Sequence, residues 1–241
     1  MNIKIYLLAL TSLLALPLVA EEIEKPVCAS YGECNTLGTK AYQAKQYAEA
    51  IGFFEEQLIN AELADDQKQQ LVAINNLALA HLKKGEPLLA KAWVGLATGL
   101  KADDKATLFN QGEVDKAVAA LPARPPIGGT YYAYAGAGQW QSIELAAKNK
   151  TTYTFKILAM RLGNNWREWG PAGIGELEGE ITVKGNKADY NKKEDFAEEA
   201  CQFHFDFAGD EMEVEQLTPD FNCGFGNAVA ATGHYYRISV P

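Results

Sequence analysis

Residues 122–132 read PARPPIGGTYY, and the periodicity of the chain changes across them. Three prolines remove backbone donors and fix φ, and Gly128-Gly129 lets the chain turn, so residues 122–129 read as a stiff, extended linker. Upstream, from about residue 36 to 121, apolar residues recur at helical spacing; downstream, from about 130, they alternate at period two among glycines and aromatics. The pattern predicts an α+β chain: α-helical hairpins over 21–121, then an antiparallel β-barrel or β-sandwich over 130–241.

The upstream half repeats itself. Residues 37–54 (LGTKAYQAKQYAEAIGFF) align without gaps on residues 77–94 (LALAHLKKGEPLLAKAWV), so that Leu37, Ala50 and Phe54 recur as Leu77, Ala90 and Val94. Each copy predicts a helix, a short break at Lys45-Gln46 or Gly85-Glu86, and a second helix whose alanine permits close packing. Gly85 suits the end of one helix and Pro87 the first turn of the next. Asp65 or Asp66 can cap the helix carrying Leu71, Ile74, Leu77 and Ala78. Residues 112–118 echo the middle of a third copy, and a helix around 113–121 is expected to cap the stack.

Leu37, Gly38, Tyr47, Ala50, Ile51 and Phe54, with Leu77, Ala78, Ala80, Gly85, Ala90 and Val94, form a pattern that resembles the tetratricopeptide repeat. The copies stand 40 residues apart rather than about 34, and a plain four- or five-helix bundle is the alternative. The resemblance implies protein or peptide binding on a concave surface. Carried over by position, that surface would present Thr39, Gln43, Asn75, Leu79 and Lys83. His81 falls where the family packs a residue between helices.

Downstream, residues 139–147 and 151–160 read as a hairpin about Lys148-Asn149-Lys150, and Gly185-Asn186 as another turn. CQFHFDF and EMEVEQL pair through a two-residue loop at Gly209-Asp210, with Phe207 opposite Met212 and Phe205 opposite Val214. Cys201, Phe203, Phe205, Phe207, Met212 and Val214 then face inward, and His204, Asp206, Glu211, Glu213 and Glu215 outward. Gly233-His234-Tyr235-Tyr236 echoes Gly129-Thr130-Tyr131-Tyr132, so first and last strands are expected to meet. The run from Cys201 to Cys223-Gly224-Phe225-Gly226, with its final Gly-x-Tyr strand, loosely resembles a small β domain of secreted bacterial proteins associated with lysozyme-inhibitor-like modules. No inhibitory residue maps onto this chain.

Residues 1–20 have the layout of a signal peptide: Lys4, an apolar run, and a cleavage position near Ala20 before Glu21-Glu22. Export to the periplasm or medium is therefore expected, with no transmembrane segment in the mature chain. Cys28, Cys34, Cys201 and Cys223 fit an oxidising compartment. Of their three possible pairings, Cys28–Cys34 with Cys201–Cys223 closes two small loops and is preferred to the crossed ones. The 241 residues are 48% hydrophobic and 10% aromatic, which excludes disorder throughout. A net charge of −9 repels nucleic-acid phosphates and anionic membranes, so a cationic protein or peptide is the better partner.

Catalytic sets are not evident. After residue 20 the serines are Ser30, Ser142 and Ser239, without a nucleophile elbow, and His81, His204 and His234 are scattered. No metal ligand set and no cofactor is expected, although His204, Glu215 and His234 could converge on one zinc ion and Glu176 with Glu178 could form a carboxylate pair. The segment Asn164-Asn165-Trp166-Arg167-Glu168-Trp169-Gly170-Pro171 holds two of four tryptophans around an arginine, the residue types that anchor interfaces. Trp166, Arg167 and Trp169 are thus partner-binding candidates, unless both indoles plug the barrel. The reading is an exported protein-binding module. An inhibitor or immunity protein against a cell-wall hydrolase is the alternative, and an envelope glycan-acting enzyme a second one.

Overall fold

The computed structural model describes residues 28–193, 195 and 197–240, so the expected cleavage position lies outside the described residues. Five helices come first: α1 (Tyr31–Gln43), α2 (Tyr47–Leu63), α3 (Gln67–Lys84), α4 (Pro87–Leu100) and α5 (Lys105–Ala119). Short polar side chains start three of them, Ser30, Asp66 and Asp104 accepting the N–H groups of Glu33, Gln69 and Thr107. Gly85 ends α3 in the left-handed region (φ 92°), and Pro87 opens α4. The helices form two hairpins in series. α5 closes the stack against α3 and α4, and begins eight residues before the helix expected there because Asp104 caps it.

Small residues set the spacing within the first hairpin. A methyl group on Gly38 would stand 2.5 Å from the Phe54 ring, so α1 and α2 approach as they do only because Gly38 lacks one. Ala50, Phe54, Leu58, Leu77, Ala78, Trp93 and Ala97 fill the helical core.

Eight strands follow: β1 (Gly129–Gly136), β2 (Gln139–Ala147), β3 (Thr152–Arg161), β4 (Gly173–Thr182), β5 (Lys187–Lys192), β6 (Cys201–Ala208), β7 (Glu211–Gln216) and β8 (Gly233–Ser239). A one-turn helix, α6 (Trp166–Trp169), interrupts the β3–β4 connection. The strands form one antiparallel sheet in the order β4-β3-β2-β1-β8-β7-β6-β5. Its two edges are joined by the β4–β5 turn, where Lys184 bridges Lys187, and the sheet curls into a near-closed barrel. First and last strands meet, Tyr131 standing opposite Arg237. In the β6–β7 hairpin Phe205 faces Val214 and Phe207 faces Met212, as the alternation predicts, and the six inward residues are buried.

Both local disulfides are formed, Cys28–Cys34 and Cys201–Cys223. Phe225, following the second bridge, packs over Gly175 and belongs to the barrel core. Neither indole of the Trp166–Trp169 segment takes that place.

The helices and the barrel share a packed boundary. Trp93 of α4 meets Trp140 and Tyr134 with ring centroids 4.8 and 5.7 Å apart, and the Tyr236 ring lies where a methyl on Gly95 would be. Lys91 of α4 pairs with Glu211 of β7 at 2.9 Å. The linker is gripped from below by Arg237, 1% exposed, which donates to the carbonyls of Pro125 (2.8 Å), Pro126 (2.7 Å) and Gly209 (2.9 Å) and to the Tyr131 hydroxyl. Among the described residues no helix is long and apolar enough to cross a membrane.

Candidate partner-binding site

The β3–β4 connection folds as a tight turn because its ends are closed by backbone hydrogen bonds. Ala172 N–H donates to Arg161 C=O at 2.8 Å, and Trp169 N–H and Glu168 N–H both donate to Asn165 C=O. Gly170 ends α6 with φ 76°, and its N–H donates to the Trp166 carbonyl at 2.8 Å. A helix of one turn cannot bury both its tryptophans against a barrel rim. Trp166 is half-buried, and Trp169 is 81% exposed. The plug alternative is thereby overturned for Trp169: the turn stands outside the barrel, and Phe225 occupies the interior.

Arg167 fixes the turn to the helices. Its Nη2 donates to Glu56 Oε2 of α2 at 2.9 Å, and its guanidinium carbon lies 5.8 Å from the centre of the Trp166 ring. Near by on the same connection and strand, Ile174 is 49% exposed, and β4 packs against the 3-10 turn at Asp220–Cys223, whose Phe221 is also exposed. An exposed indole on a turn tied back by an ion pair offers a partner a large amphipathic surface.

The residues carried over from the repeat resemblance stand elsewhere. Thr39 and Gln43 are exposed on α1, and Lys83 is exposed and Leu79 half-buried on α3. Asn75 is corrected: it is 5% exposed, not surface-presented. α5 covers it, and its side chain bonds Thr107 Oγ1 at 3.0 Å and Asn110 Nδ2 at 2.8 Å. The closing helix uses Asn75 as an internal anchor. His81, at a position that the repeat resemblance packs between helices, is 6% exposed, with its ring stacked beside Trp93 and its Nδ1 2.7 Å from Glu86. Burial is the largest influence on that imidazole and moves its pKa below the ordinary histidine value, against the raising effect of Glu86.

Two polar groups at the boundary between the halves escaped the sequence reading. Glu62 of α2 accepts from the Tyr134 hydroxyl and from Ala137 N–H, each at 2.7 Å, and burial raises its carboxyl above the ordinary value despite those two bonds. Burial likewise drives the Tyr134 phenol upward. Both groups are too far apart in sequence for any local pattern to join them. His204 bonds Asp189, and His234 lies between Glu211 and Glu213, with no cluster of metal-ligand geometry among the described residues.

The chain matches no protein-family model, no curated protein and no solved structure.

Proposed function

We propose that this chain is an exported contact module that binds another protein through the Trp166–Trp169 turn. One observation carries the reading: Trp169 is 81% exposed on a turn braced by the Arg167–Glu56 ion pair. An indole so exposed costs solvation unless a partner covers it, and tryptophan and arginine dominate binding energy at interfaces. The net charge of −9 supports a cationic partner. Two local disulfides and the leader-like first 20 residues support a periplasmic or secreted address. The helical hairpins, read as tetratricopeptide-like, would add a second contact face through Thr39, Gln43, Leu79 and Lys83. The reading assigns no catalysis.

The test is crosslinking affinity purification from an envelope extract with wild type and Trp169→Ala. A protein recovered with wild type should be rebound by the purified components and lose at least tenfold in affinity with Trp169→Ala. Equal binding by the two forms would refute the assignment of the turn.

A further inference from the structure

One recess lies apart from the Trp turn, in the angle between the helices and the barrel. It is a cavity of about 680 Å³ walled by Leu88 and Leu89 of α4, Leu121, and Ile238 and Val240 at the end of the barrel, with Arg124 and Glu86 at its edges. Its size, its largely apolar wall and its place between two packed units are those of small-molecule sites.

An adjoining recess shares Arg124 with it and holds Asp210 and Arg237, and the charges of these three side chains do not balance. Arg124 donates through Nε (3.2 Å) and Nη2 (2.8 Å) to the two oxygens of Asp210, and Arg237 Nε lies 3.7 Å from the same carboxylate. Two guanidinium groups thus share one carboxylate, which leaves one positive charge in excess. These side chains are 19%, 1% and 13% exposed for Arg124, Arg237 and Asp210. A charge so far from water is costly unless an opposite charge compensates it. No second carboxylate bonds either guanidinium among the described residues. Arg237 spends its donors on Tyr131 and three carbonyls, whereas Arg124 uses one further N–H on the Val118 carbonyl and, among the described residues, has no acceptor for two of its five.

Glu86, the acidic group at the edge, does not cancel this surplus, because its oxygens are occupied by Lys84 Nζ at 2.8 Å and His81 at 2.7 Å. The first turn of α4 adds to the positive field, its N-cap Glu86 making no side-chain capping bond.

We propose that this cavity binds a small amphipathic carboxylate, an alkyl or aryl acid whose apolar body lies against Leu88, Leu89, Leu121 and Ile238 and whose carboxylate takes the spare N–H groups of Arg124. The acid supplies the missing negative charge.

Isothermal titration of the full chain with decanoate, decanol and acetate tests it. Decanoate should bind saturably at one site, decanol at least tenfold more weakly, and acetate without detectable saturation. Arg124→Gln should bring decanoate to the level of decanol. If that variant does not melt cooperatively, Val240→Asp serves instead: it adds a negative charge at an exposed rim position and should weaken decanoate several-fold more than decanol. Trp169→Ala should change none of these values, which separates this site from the proposed contact turn. Absence of saturable decanoate binding up to about 1 mM, equal affinity for decanoate and decanol in wild type, or a loss that falls equally on both probes in the variants, would each overturn the proposal.

Discussion

Arg237 brings a full positive charge to a position 1% exposed, and the surrounding oxygens make that tolerable. Three carbonyls, one phenol and the face of Tyr131, 5.2 Å from the guanidinium carbon, replace the water it gives up. Truncating it to Arg237→Met would orphan those carbonyls and remove one of the two charges on Asp210, at a cost of about 3–5 kcal/mol. Urea unfolding should show that loss, and Arg237→Lys should recover only a small part because an ammonium cannot fork to acceptors on several sides. A loss under about 1 kcal/mol would mean that the linker is held by other contacts. The sequence marks this residue by parity alone, since Arg237 shares its strand face with the inward Tyr235. Its acceptors at Pro125 and Pro126 are more than a hundred residues away, so the anomaly is visible and its resolution is not. Asn75 fails for a related reason. A repeat pattern says which way a residue points on its helix, but not that α5, 32 residues on, arrives to cover it.

At the scale of elements, what was readable is what depends on neighbours a few residues away. The helix break at Gly85, the cap at Asp66 and the β6–β7 register follow from backbone freedom, short side chains and alternation, and the two disulfides take the pairing that the small loops between their cysteines favour. The β4–β5 closure depends on the curl of the whole sheet, and only the turn residues Gly185-Asn186 hint at it, whereas the one-turn helix at Trp166 is closed by local backbone bonds that carry no side-chain signature. Gly38 gives a test of the helical packing. Gly38→Val should destabilise the protein by about 1–3 kcal/mol through the clash with Phe54, and adding Phe54→Leu should return part of that loss. Gly32, on the same helix, has nothing within 4 Å of its missing methyl, so Gly32→Ala should be neutral or stabilising by under about 1 kcal/mol. Equal melting temperatures for the two glycine variants would contradict the close approach of α1 and α2.

Across the whole molecule the helices and the barrel are tied by groups that respond to acidity. Burial holds the Glu62 carboxyl above its ordinary value, with the Tyr134 and Ala137 bonds pulling the other way. Between the ordinary carboxylate range and that raised value, folded Glu62 retains a proton that the unfolded chain has released. Stability contributed by this group therefore falls as pH rises across that window and is level above it. Unfolding free energies of wild type and Glu62→Gln, compared from about pH 4 to about pH 8, should differ in slope only at the acid end, wild type falling more steeply with rising pH. Parallel curves would place the carboxyl at its ordinary value.

The pairing of β1 with β8 has a consequence for biogenesis. On the proposed export route, a polypeptide delivered amino end first releases the helical hairpins early on the far side, and their contacts are local enough to form at once. β1 emerges next but must wait some hundred residues for its second neighbour, with one edge open all that time. Quality-control factors there would meet a finished helical stack carrying an unfinished sheet, and a chain arrested before Gly233 was delivered would display an open, aggregation-prone edge.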